Sequence, residues 1–317
     1  LASSSTGTTG AVRRKCFIAS RSLHEFDATV LRIRRFVRTF GGGALFAAFP
    51  VVYATVFSGF YLALMYLLFA LIFRAVAIEF RSKQPMGWWR GFWDWSFSIS
   101  SIVSALLLGV ALGNIAWGIP LTPDHEYYGG LLGMLHPYPL MLGVTTVALF
   151  TMHGAIFVVL KTEGELHERA KGWVRNAIIF FVLCYVTITM ATLLYVPNMT
   201  REIQAQPVLF AVPLLGLLAI ANIPREMYHG RDGRAFVSSC VSMIALMALF
   251  GIGMYPTLVL STPDPANSLT IYNAASSPGT LATMLVIAAI GMPMVIAYTT
   301  AVYWLFRGKV EIDASGY

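Results

Sequence analysis

Residues 41–83 read GGGALFAAFPVVYATVFSGFYLALMYLLFALIFRAVAIEFRSK, and no charge falls between Gly41 and Phe73. Pro50 divides the run into a short apolar piece and a longer one. Val51–Phe73 is 23 residues. At about 1.5 Å per residue that makes about 35 Å of helix, enough to cross a hydrocarbon core of about 30 Å. Arg74 stops the run, and Arg81 and Lys83 follow, as when a helix emerges into a basic cytoplasmic loop. Ala54, Ser58, Gly59 and Ala63 put small side chains on one side, where another helix can approach closely in lipid. Gly42–Phe49 is too short to cross alone.

The rest of the chain repeats this pattern. Of 317 residues, 57% are apolar and 12% charged, with a mean hydropathy of +0.70. Soluble domains carry about 25% charged residues, so the composition describes an all-α, polytopic helical membrane protein. Further apolar runs at Trp95–Trp117, Tyr138–Leu160, Asn176–Val196, Val208–Ile223, Phe236–Leu260 and Leu281–Phe306 bring the predicted total to seven spans. Val208–Ile223 is short and carries Pro213, which leaves its ends least defined.

Loop charge orients the spans. Arg74–Arg90, Lys161–Arg175, Pro224–Arg234 and the tail after Phe306 hold thirteen Lys and Arg, whereas the alternate loops hold only Arg201. This split places the basic loops and the C-terminus in the cytoplasm, and the shortness of the loops predicts no extramembrane domain. The net charge of +7 comes from these loops and from the N-terminal arm, which gives no reason to expect a nucleic-acid partner.

Residues 1–40 differ in kind. A polar start, LASSSTGTTG, precedes Arg13, Arg14, Lys15, Arg21, Arg32, Arg34, Arg35 and Arg38. No apolar segment follows the charges as a secretory signal requires. The arm reads as an amphipathic segment on anionic lipid, as disordered chain, or as an aberrant start; the last is favoured because of the family pattern described below. Residues 41–317 read as a single transmembrane domain.

Candidates for chemistry are few. No Lys or Arg falls inside a span. Asp94, within the WDW motif, reads either as a proton-handling carboxylate at the cytoplasmic mouth or as an early helix residue favoured by the macrodipole. Glu79, in a juxtamembrane loop between Ile78 and Phe80, reads either as a proton relay or as the partner of Arg81 or Arg74. His153 is the histidine deep in a span, where haem ligation, proton transfer and an interhelical hydrogen bond compete. Its neighbour His136 lies 17 residues away on the same helix, roughly 25 Å, too far to share an iron. The hydrogen bond is therefore the favoured reading. Asp124, His125 and Glu126 read as a solvated loop, and no metal site is expected. Cys16, Cys184 and Cys240 lack CxxC spacing and read as unpaired packing residues. Glu165 and Arg169 are spaced for a local i, i+4 ion pair. Read from residues alone, the chain is either a transporter or a proton-path partner of a redox subunit. The absence of a midplane carboxylate and of a clear repeat weakens the transporter reading.

Several motifs resemble one family. GGALFAAFP and YATVFSGFYLAL, followed by the FRAVAIEFRSK tail, are similar to subunit II of the cytochrome bd quinol oxidases, especially the cyanide-insensitive branch. The similarity continues through WDW at Trp93–Trp95, GVALGN at Gly109–Asn114, HGAIFVVLKTEGELHERA at His153–Ala170, and Ser268–Trp304. It spans about 275 of 317 residues in preserved order. The resemblance implies a terminal oxidase that oxidises quinol at the outer face and reduces dioxygen to water, building a proton gradient without pumping. It implies a heterodimer with subunit I in the lipid bilayer of the bacterial inner membrane, with a small accessory subunit allowed. Haem b and haem d then belong to subunit I, and this haem-poor chain binds no cofactor of its own and has no independent catalytic site. Glu79 matches the family's acidic residue before FRSK, so a proton-path role transfers to it. The family opens with a helix bearing a DGFD-like motif and a second helix starting W-(D/E)-G-N-x-V-W. The first 40 residues here carry neither, which implies either a degenerate or mistranslated copy or an arm that replaces that function, and poor assembly with subunit I is expected.

Overall fold

The computed structural model describes residues 43–305. The basic arm, Cys16 and the tail after Leu305 lie outside the described residues. Eight helices carry the architecture: α1 Pro50–Gly59, α2 Tyr61–Phe80, α3 Gly87–Trp117, α4 Pro137–Lys161, α5 Gly164–Tyr195, α6 Ala211–Tyr228, α7 Asp232–Met254 and α8 Pro278–Leu305. Among the described residues seven helices are long and apolar enough to cross a membrane, as the sequence predicts. Their outward residues are large and apolar, for example Leu183, Leu194, Ile244 and Leu285. Water would not tolerate such a surface, but lipid does. Pro50, Pro137 and Pro278 open α1, α4 and α8, where a missing N–H costs nothing.

The boundaries differ from the sequence reading in several places, among them the expected span Phe236–Leu260, which is a helix over Asp232–Met254 followed by a strand at Thr257–Val259. The expected span Val51–Phe73 is broken at Phe60, and its second half runs on to Phe80. At this break Gly59 lies against Tyr127, where an added Cβ would stand 3.0 Å from the Tyr127 Cβ. The buried face of α1 is Val52 and Thr55, not the small-residue face, since Ala54 and Ser58 stay exposed. Helices α3 and α5 begin well before the apolar runs, at Gly87 and Gly164. Helix α6 continues through Pro224 to Tyr228, where the sequence suggests a loop.

The described residues form two compact units, residues 49–154 with 175–275, and residues 43–48 with 155–174 and 276–305. In the larger unit α3 and α4 cross at glycines. An added Cβ on Gly109 would stand 2.8 Å from the Gly143 Cα, and one on Gly113 would stand 2.6 Å from the Pro139 Cα. The Asn114 amide donates to the Val110 carbonyl at 2.8 Å and to the Met134 carbonyl at 2.9 Å, tying α3 to the following loop.

Two loops of this unit interlock. The Ile119 N–H donates to the Leu260 carbonyl at 2.9 Å, and the Thr262 N–H donates back to Ile119 at 3.0 Å. Within the second loop β1 Thr257–Val259 and β2 Leu269–Thr270 form a short antiparallel ribbon. Val52, Phe60, Ile119, Leu121, Val259 and Leu269 form the apolar core beneath. The expected solvated loop is thus corrected at one residue. His125, at φ 62°, donates through Nδ1 to the Asn267 carbonyl at 3.1 Å, and its own carbonyl accepts from Thr55 Oγ1 at 2.9 Å. Asp124 and Glu126 remain exposed.

In the smaller unit, Ser276 donates from its N–H to the Ala48 carbonyl at 2.9 Å and from its hydroxyl to Ala47 at 2.6 Å. The expected ion pair of Glu165 and Arg169 forms at 2.6 Å, with Lys171 on Glu168 at 3.0 Å. Both pairs are exposed and worth little.

Candidate functional site

Two groups of polar residues lie in the larger unit. The first sits at the basic-loop end of α2 and α3. Glu79 is on the last turn of α2 rather than in a loop, and its residue is exposed. Asp94 lies two turns inside α3, beyond reach of the helix-terminus field that falls off within the first turn. Its partner is Arg81, which forks onto the carboxylate from Nε at 2.5 Å and Nη2 at 3.2 Å. This two-pronged pair joins the end of α2 to α3. Arg74 also reaches α3, lying over the Phe97 ring at 5.4 Å. Arg81 is therefore engaged by Asp94, not by Glu79. The neighbouring aromatic side chains form a belt: Trp89 Nε1 donates to the Phe80 carbonyl at 2.8 Å, and the Trp93 ring packs on Phe80, Trp89 and Phe92. Such belts sit at the membrane–water boundary.

The second group lies among α4, α6 and α7. His153 Nδ1 is 2.9 Å from Ser239 Oγ. The Ser239 hydroxyl donates its hydrogen to the Phe236 carbonyl at 2.7 Å, so His153 carries the hydrogen on Nδ1 and donates it. The ring also stacks on Phe236 at 5.0 Å. The favoured interhelical hydrogen bond is what the geometry places here. One turn away, Asn222 of α6 donates to Ser238 Oγ of α7 at 2.9 Å. Glu226, on the same face of α6, is buried, with its carboxylate 4.0 Å from Arg231 Nη1.

Sequence reasoning missed Glu226. Pro224 reads as the end of a helix, which makes Glu226 a loop carboxylate in a basic, solvated segment. The only signal for it was PREMY directly abutting an apolar run. Cys184 and Cys240 are free thiols, half-buried rather than fully buried. Among the described residues no group of three or more His, Cys, Asp or Glu converges to hold a metal ion.

Comparison with known proteins places the chain. The family model for cytochrome bd terminal oxidase subunit II matches residues 39–306. Cytochrome bd-I ubiquinol oxidase subunit 2 of Escherichia coli K12 is 32% identical over 299 residues, covering 85% of this chain and 79% of that protein. Cytochrome bd ubiquinol oxidase subunit 2 of Bacillus subtilis is 30% identical over 274 residues, covering 86% of this chain and 79% of that protein. In fold, the chain is similar to the bd oxidase of Geobacillus thermodenitrificans, with a TM-score of 0.71 at 16% identity, over 88% of this chain and 83% of that one. These matches set the transporter reading aside. The seven apolar helices and the family match make this a multi-pass membrane protein and one subunit of a quinol-oxidising oxidoreductase complex that uses haem. The chain belongs to the cytochrome bd terminal oxidase subunit II family.

Proposed function

We propose that this chain is the haem-poor half of a heterodimer with a cytochrome bd subunit I, in a bacterial inner membrane, with its basic loops and C-terminus in the cytoplasm. The loop-charge split supports the orientation. In this reading subunit I holds haem b and haem d and oxidises quinol at the outer face. Dioxygen is reduced to water there with protons drawn from the cytoplasm. This chain supplies part of their route and no catalytic site of its own. The described residues support this reading. His153 Nδ1 faces Ser239 and its ring stacks on Phe236, and among the described residues no group of three or more His, Cys, Asp or Glu converges.

Glu79 and Asp94 are the carboxylates proposed for the route. The observation that carries this is their placement: both lie where α2 and α3 meet the basic loops, inside the tryptophan belt, and Glu79 keeps its exposed position on the helix end. A carboxylate here collects protons from the aqueous side, and the Arg81 fork holds Asp94 in a fixed direction. The test is quinol-driven oxygen uptake by the assembled complex carrying Glu79→Gln or Asp94→Asn. The expected result is slowed turnover with an unchanged reduced-haem spectrum. Full turnover in both variants at every pH would remove these residues from the route.

A further inference from the structure

Glu226 stands apart from the Glu79–Asp94 group. Its residue is only 5% exposed, and Oε2 is buried and accepts no hydrogen bond. The nearest cation is Arg231 Nη1 at 4.0 Å, too long for a hydrogen bond and attached to a side chain that is itself 54% exposed. Arg231 is held to this turn by its backbone, whose N–H donates to the Glu226 carbonyl at 2.9 Å.

An ionised carboxylate only accepts hydrogen bonds, and a buried one lacking donors is poorly solvated. A protonated carboxyl carries no charge and is buried at far lower cost. The site therefore suits two states differing by one proton. The other charged or titratable groups around this turn are Arg225 and His229 on α6 and Asp232 and Arg234 on α7. The His229 ring is engaged with the Arg225 carbonyl at 2.8 Å.

The inward side is polar as well. Asn222 lies one turn deeper on the same face of α6, at i − 4 from Glu226. Its amide donates to Ser238 Oγ at 2.9 Å. Ser239, next in sequence and wholly buried, receives the His153 Nδ1 hydrogen at 2.9 Å. Polar groups thus run from the basic-loop end of α6, across α7, to α4, through otherwise apolar helices.

We propose that Glu226 is a proton-binding site, loaded from the side of the basic loops and opening inward onto the Asn222–Ser238–Ser239–His153 seam. That side is the cytoplasmic one under the orientation proposed above. Loading converts the carboxylate and a hydronium ion into the carboxyl and water, unloading is the reverse, and no electron moves.

The test is an infrared pH titration of the purified full chain in lipid nanodiscs, in light and heavy water. The expected result is a deuterium-sensitive protonated-carboxyl band that grows on acidification and is missing in Glu226→Gln. Identical difference spectra for the parent and Glu226→Gln would overturn the proposal. Glu226→Asp guards against a misfolded Gln variant: its band is expected at a displaced frequency, and an undisplaced band would assign the signal elsewhere. Arg231→Gln separates a proton site from a fixed ion pair. A proton site keeps its band once the cation is gone. A band that appears only in Arg231→Gln would mean that Glu226 is simply the ionised partner of Arg231, and would overturn the proposal. The readout needs no partner subunit, so failed assembly of an oxidase leaves it standing, and its own failure leaves the subunit II reading untouched.

Discussion

Replacing Gly113 by alanine puts a methyl group where the α4 backbone already sits. The new Cβ would stand 2.6 Å from the Pro139 Cα, 3.1 Å from its Cβ and 3.4 Å from its carbonyl oxygen. No rotamer change relieves a clash with backbone, so α3 and α4 must separate. Overpacking of this kind costs about 1–3 kcal/mol. Alanine recovers up to about 1 kcal/mol through its better helix propensity. With backbone as the obstacle the upper part of the overpacking range applies, which leaves a net loss of about 1–2 kcal/mol by the same two terms. Separation also strains the hydrogen bond from Asn114 to the Met134 carbonyl, one residue along the helix. Gly91 is the control. It lies on the same helix with nothing within 4 Å of its added Cβ, so alanine there should be neutral or slightly stabilising. The assay is thermal unfolding of both purified variants in one detergent, beside the parent. If Gly113→Ala matched or exceeded the parent, or if both variants shifted in the same direction, the close α3–α4 crossing would be refuted.

Three further outcomes follow from the geometry. Arg81→Gln should lower thermal stability by less than about 1 kcal/mol, because the Arg81–Asp94 pair is half-exposed on the Asp94 side; a much larger loss in unfolding measurements would mean the pair is a structural clamp. Ser239→Ala should cost about 1 kcal/mol, because it removes the hydrogen bond to His153 Nδ1 at a wholly buried position; Thr151→Ala, at an exposed hydroxyl on the same α4 helix, should cost far less in the same assay. Tyr127 lies outside the spans, and burial pushes its phenol above the ordinary range. The folded state therefore holds that proton more tightly than the unfolded chain. The stability this provides is full below about pH 10 and is lost as pH rises through the raised value. Tyr127→Phe should consequently show a shallower alkaline decline of its unfolding midpoint, and an unchanged decline would assign the effect to other groups.

The spans were legible because each is a long apolar run bounded by charge, and lipid leaves no alternative to helix for such a run. The local Glu165–Arg169 pair was legible because helical spacing alone creates it. What escaped depends on distant neighbours. The break at Phe60 lies where Gly59 meets Tyr127, a contact between residues far apart in sequence. The partner of Asp94 is Arg81 across a helix hairpin, whereas local spacing offered Arg81 to Glu79. His153 was recognised as a hydrogen-bonding residue, but Ser239, 86 residues later, carries no sequence mark that distinguishes it from its serine neighbours. Glu226 was hidden by Pro224, since proline usually ends a helix and here sits inside one. The interlocked loops were also hidden, because their core is built from single apolar residues scattered over three segments.

The most direct test of the division of labour is the dithionite-reduced absorption spectrum of this chain purified alone and purified after co-expression with a cytochrome bd subunit I, each paired with quinol-driven oxygen uptake. The account predicts no haem bands and no uptake from the chain alone, and haem b and haem d bands with oxygen uptake from the pair. Haem bound stoichiometrically to the chain alone would contradict it, as would a stably inserted pair that shows neither haem d nor oxygen uptake.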